Sequence, residues 1–197
     1  MKKSVIKLIA LLAAIGSSVN VYAAEPADNK VSSKLLMYIQ PVDYTNPIKL
    51  WHPYQDYWFY QGPVVEKVVV PKLTAAYGDV TVCDANQSGK ALLWVQPELF
   101  YNPQVQMFYA EVTASAYKGV GEHLATYVGR SQVHGVLGIQ PESWIKKAYT
   151  LAVDDMVAKM QADKALQAYV NGPAQVGNTP CSMVTLFPTP KVRAMGF

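Results

Sequence analysis

The chain is 197 residues long, 51% hydrophobic and only 16% charged, with 17 basic against 14 acidic residues. Lys2, Lys3 and Lys7 supply the whole excess, so the chain after residue 23 is balanced at 14 against 14. Such a balance offers no electrostatic footprint for nucleic acid or a charged membrane surface, and two distant cysteines make no zinc signature.

Met1–Ala23 reads as a secretory signal peptide: a basic head, an apolar middle around Val5–Ile15, and Val21-Tyr22-Ala23 at the cleavage position. The apolar run is short for a membrane anchor, and no Cys near the site could accept a lipid. The expected location is the periplasm, with the outer membrane as a possible neighbour, and no transmembrane segment in the mature chain. The roughly 174 remaining residues suffice for one domain that buries roughly 70% of its unfolded surface. In an oxidising compartment Cys83 and Cys181 are expected to form a disulfide, the alternative being two buried thiols. Closing so long a loop would contribute roughly 4–5 kcal/mol in the chain-entropy treatment.

Residues 24–33 are polar and read as a flexible N-terminus. Lys34–Pro41 (KLLMYIQP) is an apolar run expected to form a first, central strand. Val42–Pro63 shows little periodicity but gathers Trp51, His52, Tyr54, Tyr57, Trp58, Phe59 and Tyr60. One reading makes these rings a platform for a flat ligand, with Trp51, His52, Tyr54, Tyr57, Trp58 and Tyr60 as the candidate binding surface. The other, which we favour on sequence alone, makes them a loop and helix start that caps the core. Next, VVEKVVVPKLTAAYG places Val65, Val68, Val69, Leu73 and Ala76 on one helical face, while Pro71 argues against a continuous helix. A kinked helix is expected, with a strand over residues 64–70 as the alternative.

Gly78-Asp79 ends that element, and Val80–Cys83 is a short strand. Two alternating runs, ALLWVQPELFY and QMFYAEVTASAY, flank the turn Asn102-Pro103-Gln104, and HLATYVG follows as a third. On the second run Phe108, Ala110, Val112, Ala114 and Ala116 form an apolar face. Glu111, Thr113 and Ser115 point the other way, toward water. Pro141 then opens a helix whose stripe is Ile145, Ala148, Tyr149, Ala152, Met156 and Met160, suited to roof that face. A shorter helix, Lys164–Val170, has Asp163 as N-cap. The expected fold is α+β, a two-layer sandwich with a mainly antiparallel sheet of four or five strands and helices packed on one face. Residues 34–173 make one domain. Residues 174–197 make an irregular tail tied back to it, with a short edge strand at Met183–Phe187.

Motifs that carry chemistry are sparse. His52, His123 and His134 have no partner at metal-ligand spacing, and Gly119-Val120-Gly121 is a turn rather than a dinucleotide fingerprint. Asp154-Asp155 reads as a solvated helix face. No cofactor, metal site or catalytic residue is assigned.

The element order, with LLMYIQP first and the WVQPELFY and QMFYAEVTASAY hairpin before a C-terminal helix, resembles small periplasmic α/β envelope proteins of Gram-negative bacteria. The YajG-like lipoprotein domains are the type it resembles, in architecture over residues 34–170 and without their lipidated Cys. The resemblance implies an accessory role without known catalysis and carries over no functional residue. The leading expectation is a non-catalytic binding or assembly module whose partner is another envelope protein or a cell-wall component. The alternatives are a hydrolase of envelope material and a structural homo-oligomer built by sheet-edge pairing.

Overall fold

A computed structural model describes residues 33–83, 87–119, 121–173 and 179–188. The signal-peptide reading and the flexible 24–33 segment lie outside them, apart from Ser33. In chain order the elements are β1 (Ser33–Ile39), α1 (Pro41–Thr45), β2 (Ile48–His52), β3 (Gln55–Phe59), α2 (Gln61–Tyr77) and β4 (Val80–Val82). They continue with β5 (Gly89–Asn102), β6 (Met107–Lys118), β7 (Glu122–His134), α3 (Pro141–Ala162), α4 (Lys164–Asn171) and a 3-10 helix over Pro180–Leu186.

The fold is α+β, but its main sheet is mixed. The strand order is β4-β1-β5-β6-β7, with β1 parallel to both neighbours and β5, β6 and β7 antiparallel. The sheet is thus mixed rather than purely antiparallel, its two long ladders, β5–β6 and β6–β7, being antiparallel as expected. Parallel neighbours need a long crossover, and α1, the β2–β3 hairpin and α2 together supply it between β1 and β4. The run in β1 shows why it sits there: Leu35, Leu36 and Met37 are all fully buried, so both of its faces are covered.

The face of Phe108, Ala110, Val112, Ala114 and Ala116 is buried, as is the α3 stripe from Ile145 to Met160. These residues belong to one apolar cluster, and α3 lies along β6 and β7. The approach is close: a Cβ on Gly129 of β7 would sit 2.0 Å from the Ala152 carbonyl oxygen. Ser131 donates to the Ala148 carbonyl (2.6 Å). Asp163 caps α4 by accepting from the Ala165 and Leu166 N–H groups, and the Tyr127 hydroxyl donates to it at 2.6 Å. That hydroxyl first, then the two N–H groups, hold the Asp163 carboxyl below its ordinary range.

α2 is helical throughout with Pro71 inside it, so the helix expected there is found and the alternative strand over residues 64–70 is not. Pro71 is exposed, as is Lys67 one turn earlier, whose carbonyl Pro71 leaves without its helical donor. Burial of Val65, Val68, Val69 and Leu73 outweighs the proline and the β-branched valines. Gly78 ends the helix at φ 83, a conformation other residues adopt at a cost.

The other face of the sheet is not uniformly wet. Cys83 and Cys181 form a disulfide with a Cα separation of 5.7 Å. Residues 180–188 lie with Leu36, Tyr38, Leu92 and Tyr117, as a 3-10 helix rather than the expected edge strand. Phe187 stacks on Trp94 at 4.3 Å between ring centroids. Ser115 is also buried, its hydroxyl 3.2 Å from that of Thr126. Residues 174–178 and 189–197 of the expected tail lie outside the described residues.

The outer edge of β7 is plugged by α3. The Arg130 N–H donates to Asp155 Oδ2 at 3.0 Å, and Lys159 Nζ donates both to the Val128 carbonyl (2.7 Å) and to Asp155 (2.8 Å). Asp154 reaches Lys72 of α2 at 2.6 Å. Asp154 and Asp155 keep much of their side chains in water, as a solvated helix face should, while one also ties two helices and the other blocks a sheet edge, a common defence against edge pairing.

Asp43 stands apart among the carboxylates. Desolvation lifts its carboxyl to about 6, and Tyr38, Tyr44 and Tyr149 all sense its charge. A folded-state value above the unfolded one means that the folded form holds the proton longer, so this group's contribution to stability declines as pH rises from about 4 to about 6. Asp43→Asn should therefore stabilise relative to the parent at pH 7 and not at pH 4. The side chain is only half-buried, and screening reduces the expected gain to about 1 kcal/mol. Urea unfolding of both proteins at the two pH values measures it, and equal differences at both would exclude the effect.

Candidate functional site

The aromatic segment is a β-hairpin, not the expected loop and helix start. Ile48 pairs with Phe59, Lys49 with Trp58, Leu50 with Tyr57 and Trp51 with Asp56, around a turn at Pro53-Tyr54. Strand alternation therefore divides the cluster. Leu50 (1% exposed) and Phe59 (8%) are buried in the main core, with Ile48 and Tyr57 packed beside them. Trp51 and Trp58 lie on the opposite side of the hairpin, each 51% exposed. Between them the Lys49 ammonium meets Asp56 at 2.7 Å and lies 5.8 Å from the Trp58 ring centroid, a cation–π contact.

The remaining candidates occupy the tip and the exit of this hairpin. Tyr54, at the turn, is 92% exposed, and its N–H donates to His52 Nδ1 at 3.3 Å. His52 is half-buried, with its ring 6.4 Å from that of Tyr101. Tyr57 donates its hydroxyl to Glu142 Oε1 at 3.4 Å, tying the hairpin to the first turn of α3. Burial first, then Glu142, raises the Tyr57 phenol above its ordinary range. Tyr60, about half exposed, follows β3 and leads into α2. Cys83 and Cys181, the other two residues singled out, are bonded to each other on the far side of the sheet.

A cleft of about 460 Å³ opens where the hairpin meets α2 and α3. Tyr57, Trp58, Phe59 and Tyr60 form one wall, Pro63, Val64 and Lys67 another, and Glu142, Ile145 and Lys146 the third. The size suits a small organic ligand, and the lining is mostly apolar with a few charged groups. Three of the six candidate residues, Tyr57, Trp58 and Tyr60, are thus brought together around one cavity; Trp51, His52 and Tyr54 are not. The α2 and α3 residues of the cleft were invisible to sequence reasoning. Lys67 and Lys146 occupy ordinary outward positions on two amphipathic helices, and only the packing of those helices makes them neighbours of Trp58.

A second, broader concavity of about 800 Å³ runs across β5, β6 and β7 and reaches Ile48 and Lys49. Glu98 and Glu111 are direct cross-strand partners in it, and Arg130 Nε donates to Glu111 Oε2 at 2.7 Å. Phe100 and Tyr109 flank them, with ring centroids 6.1 Å apart. Asp43 lines neither cavity. Among the described residues no group of three or more His, Cys, Asp or Glu is placed to hold a metal ion, and no helix is long and apolar enough to cross a membrane. His123 Nε2 lies 2.8 Å from the Thr126 hydroxyl, and His134 is exposed at the end of β7.

No protein family, curated protein or solved structure matches this chain.

Proposed function

We propose that this protein is a non-catalytic binding module of the bacterial cell envelope, exported to the periplasm, that engages its partner through the outward side of the β2–β3 hairpin and the cleft beside it. The observation that carries the proposal is the position of Trp51 and Trp58. Two tryptophans on the wet side of a short hairpin hold large apolar area in water, which a folded chain retains where a ligand or partner covers it. The inward side of the same hairpin already packs the core through Leu50 and Phe59, so the tryptophans are not needed there. The resemblance to YajG-like envelope domains, the expected signal peptide and the Cys83–Cys181 bridge suit an oxidising compartment. A partner drawn from envelope proteins or cell-wall material fits that location.

Cross-linking in an envelope fraction tests the proposal. The parent should give a discrete product whose yield falls at least tenfold in Trp51→Ala/Trp58→Ala, with the far-UV spectrum unchanged. Equal yields from parent and variant would overturn it. The structural alternative, a homo-oligomer by sheet-edge pairing, is disfavoured at β7 because Asp155 and Lys159 occupy the edge at Val128 and Arg130.

A further inference from the structure

From the chemistry of the smaller cleft, we propose that it binds a single-chain organic anion: a carboxylate head held between Lys67 and Lys146, with its apolar chain against Phe59, Val64 and Ile145. This rests on the reading of the hairpin and its cleft as a binding surface, and it names the class of ligand. The argument begins with charge pairing. Lys49, Lys72, Lys118 and Lys159 each have a carboxylate within 2.8 Å. Lys67 and Lys146 are exposed at the rim of the cleft, and neither has an ion pair among the described residues. The carboxylate that shares the cleft, Glu142, accepts the Tyr57 hydroxyl. Two ammonium groups against one carboxylate leave the rim net positive, in a chain whose charge outside residues 1–23 is balanced.

The floor points the same way. Phe59 is 8% and Ile145 1% exposed, and Pro63 and Val64 are half-buried beside them. A fully polar ligand would desolvate against this floor without partners, whereas an alkyl chain removes its own surface from water there. An anion with no apolar body would find only solvated ammonium groups, whose pull is weak in water. An amphiphilic anion satisfies rim and floor together. Trp58, which lines the cleft, supplies a reporter for occupancy.

The test is titration of the purified protein with decanoate below its critical micelle concentration, and separately with decanol, followed by tryptophan emission and calorimetry. Decanoate should bind saturably at a single site, at least tenfold tighter than decanol at low salt, and more weakly as salt rises. Lys67→Ala/Lys146→Ala, which alters only exposed side chains, should lose that tenfold for decanoate and leave decanol binding unchanged. Equal affinities for the two ligands, or a lysine variant that keeps its affinity for decanoate, would overturn the assignment. In that event a cross-linked envelope product that still depends on Trp51 and Trp58 leaves the binding-surface reading standing. Loss of that dependence as well removes both.

Discussion

Replacing Gly129 by valine should leave the protein unable to hold its native fold, and Gly129→Ala should already cost about 2–3 kcal/mol. The cause is the seating of α3. A Cβ at this position would meet the Ala152 carbonyl oxygen at 2.0 Å and the Met156 Cβ at 2.7 Å, both on the helix that roofs β6 and β7. Neither is the end of a flexible side chain, so relief requires the helix to lift. Lifting it would loosen Ile145, Tyr149 and Met156 from the Phe108–Ala116 face and strain the Ser131 bond to Ala148. Gly138→Ala is the control. Its Cβ would approach the Gln55 amide at 3.2 Å, which can swing away, so a change within about 0.5 kcal/mol is expected. Chemical denaturation of the three variants measures the series. A Gly129→Val protein as stable as its parent would mean that α3 does not lie where it is described.

The second large effect concerns the tail. Cys83→Ser/Cys181→Ser should destabilise by about 4 kcal/mol, which for a chain of this size lowers the melting temperature by roughly 10 °C. The bridge closes a loop with a sequence separation of 98, and its loss restores that loop's freedom to the unfolded chain. In the folded state, residues 180–188 would then be held mainly by Phe187 against Trp94 and Tyr117 and by the bond from Gln40 Nε2 to the Pro188 carbonyl. Trp94 is 8% exposed and should become more accessible to quenchers in the variant. Calorimetry with and without a reducing agent provides the comparison: the parent should fall to the variant's melting temperature on reduction, while the variant stays put. No shift on reduction of the parent would show that the bridge contributes nothing.

Legibility in the sequence followed periodicity. On β6 every second residue from Phe108 to Ala116 is apolar and most are small, and on α3 the buried residues recur at three and four, so both elements and their contact could be read directly. The hairpin defeated the same test because its wet positions carry Trp51 and Trp58. Beside Ile48, Leu50, Tyr57 and Phe59 these erase the alternation that would have announced two strands. Pro71 left a strand open as an alternative for residues 64–70, but the helical spacing of Val65, Val68, Val69 and Leu73 was the stronger signal, and all four are buried on α2. The parallel pairing of β1 had a trace in the unbroken apolar run of LLMYI, which suits a strand buried on both sides better than a half-wet one. The packing of Phe187 had none, because Trp94 lies far away in sequence and no local pattern marks the contact. The aromatic side of the cleft was visible as a cluster, while its lysines come from two helices far apart in sequence.

The division of the hairpin into an inward and an outward side is what the functional proposal stands on, and unfolding free energies test it most directly. Trp51→Ala and Trp58→Ala should each cost about 1 kcal/mol, because about half of each ring is already in water, while Phe59→Ala should cost about 3–4 kcal/mol. If instead either tryptophan variant loses as much as Phe59→Ala, the rings are core, and the surface proposed for binding does not exist.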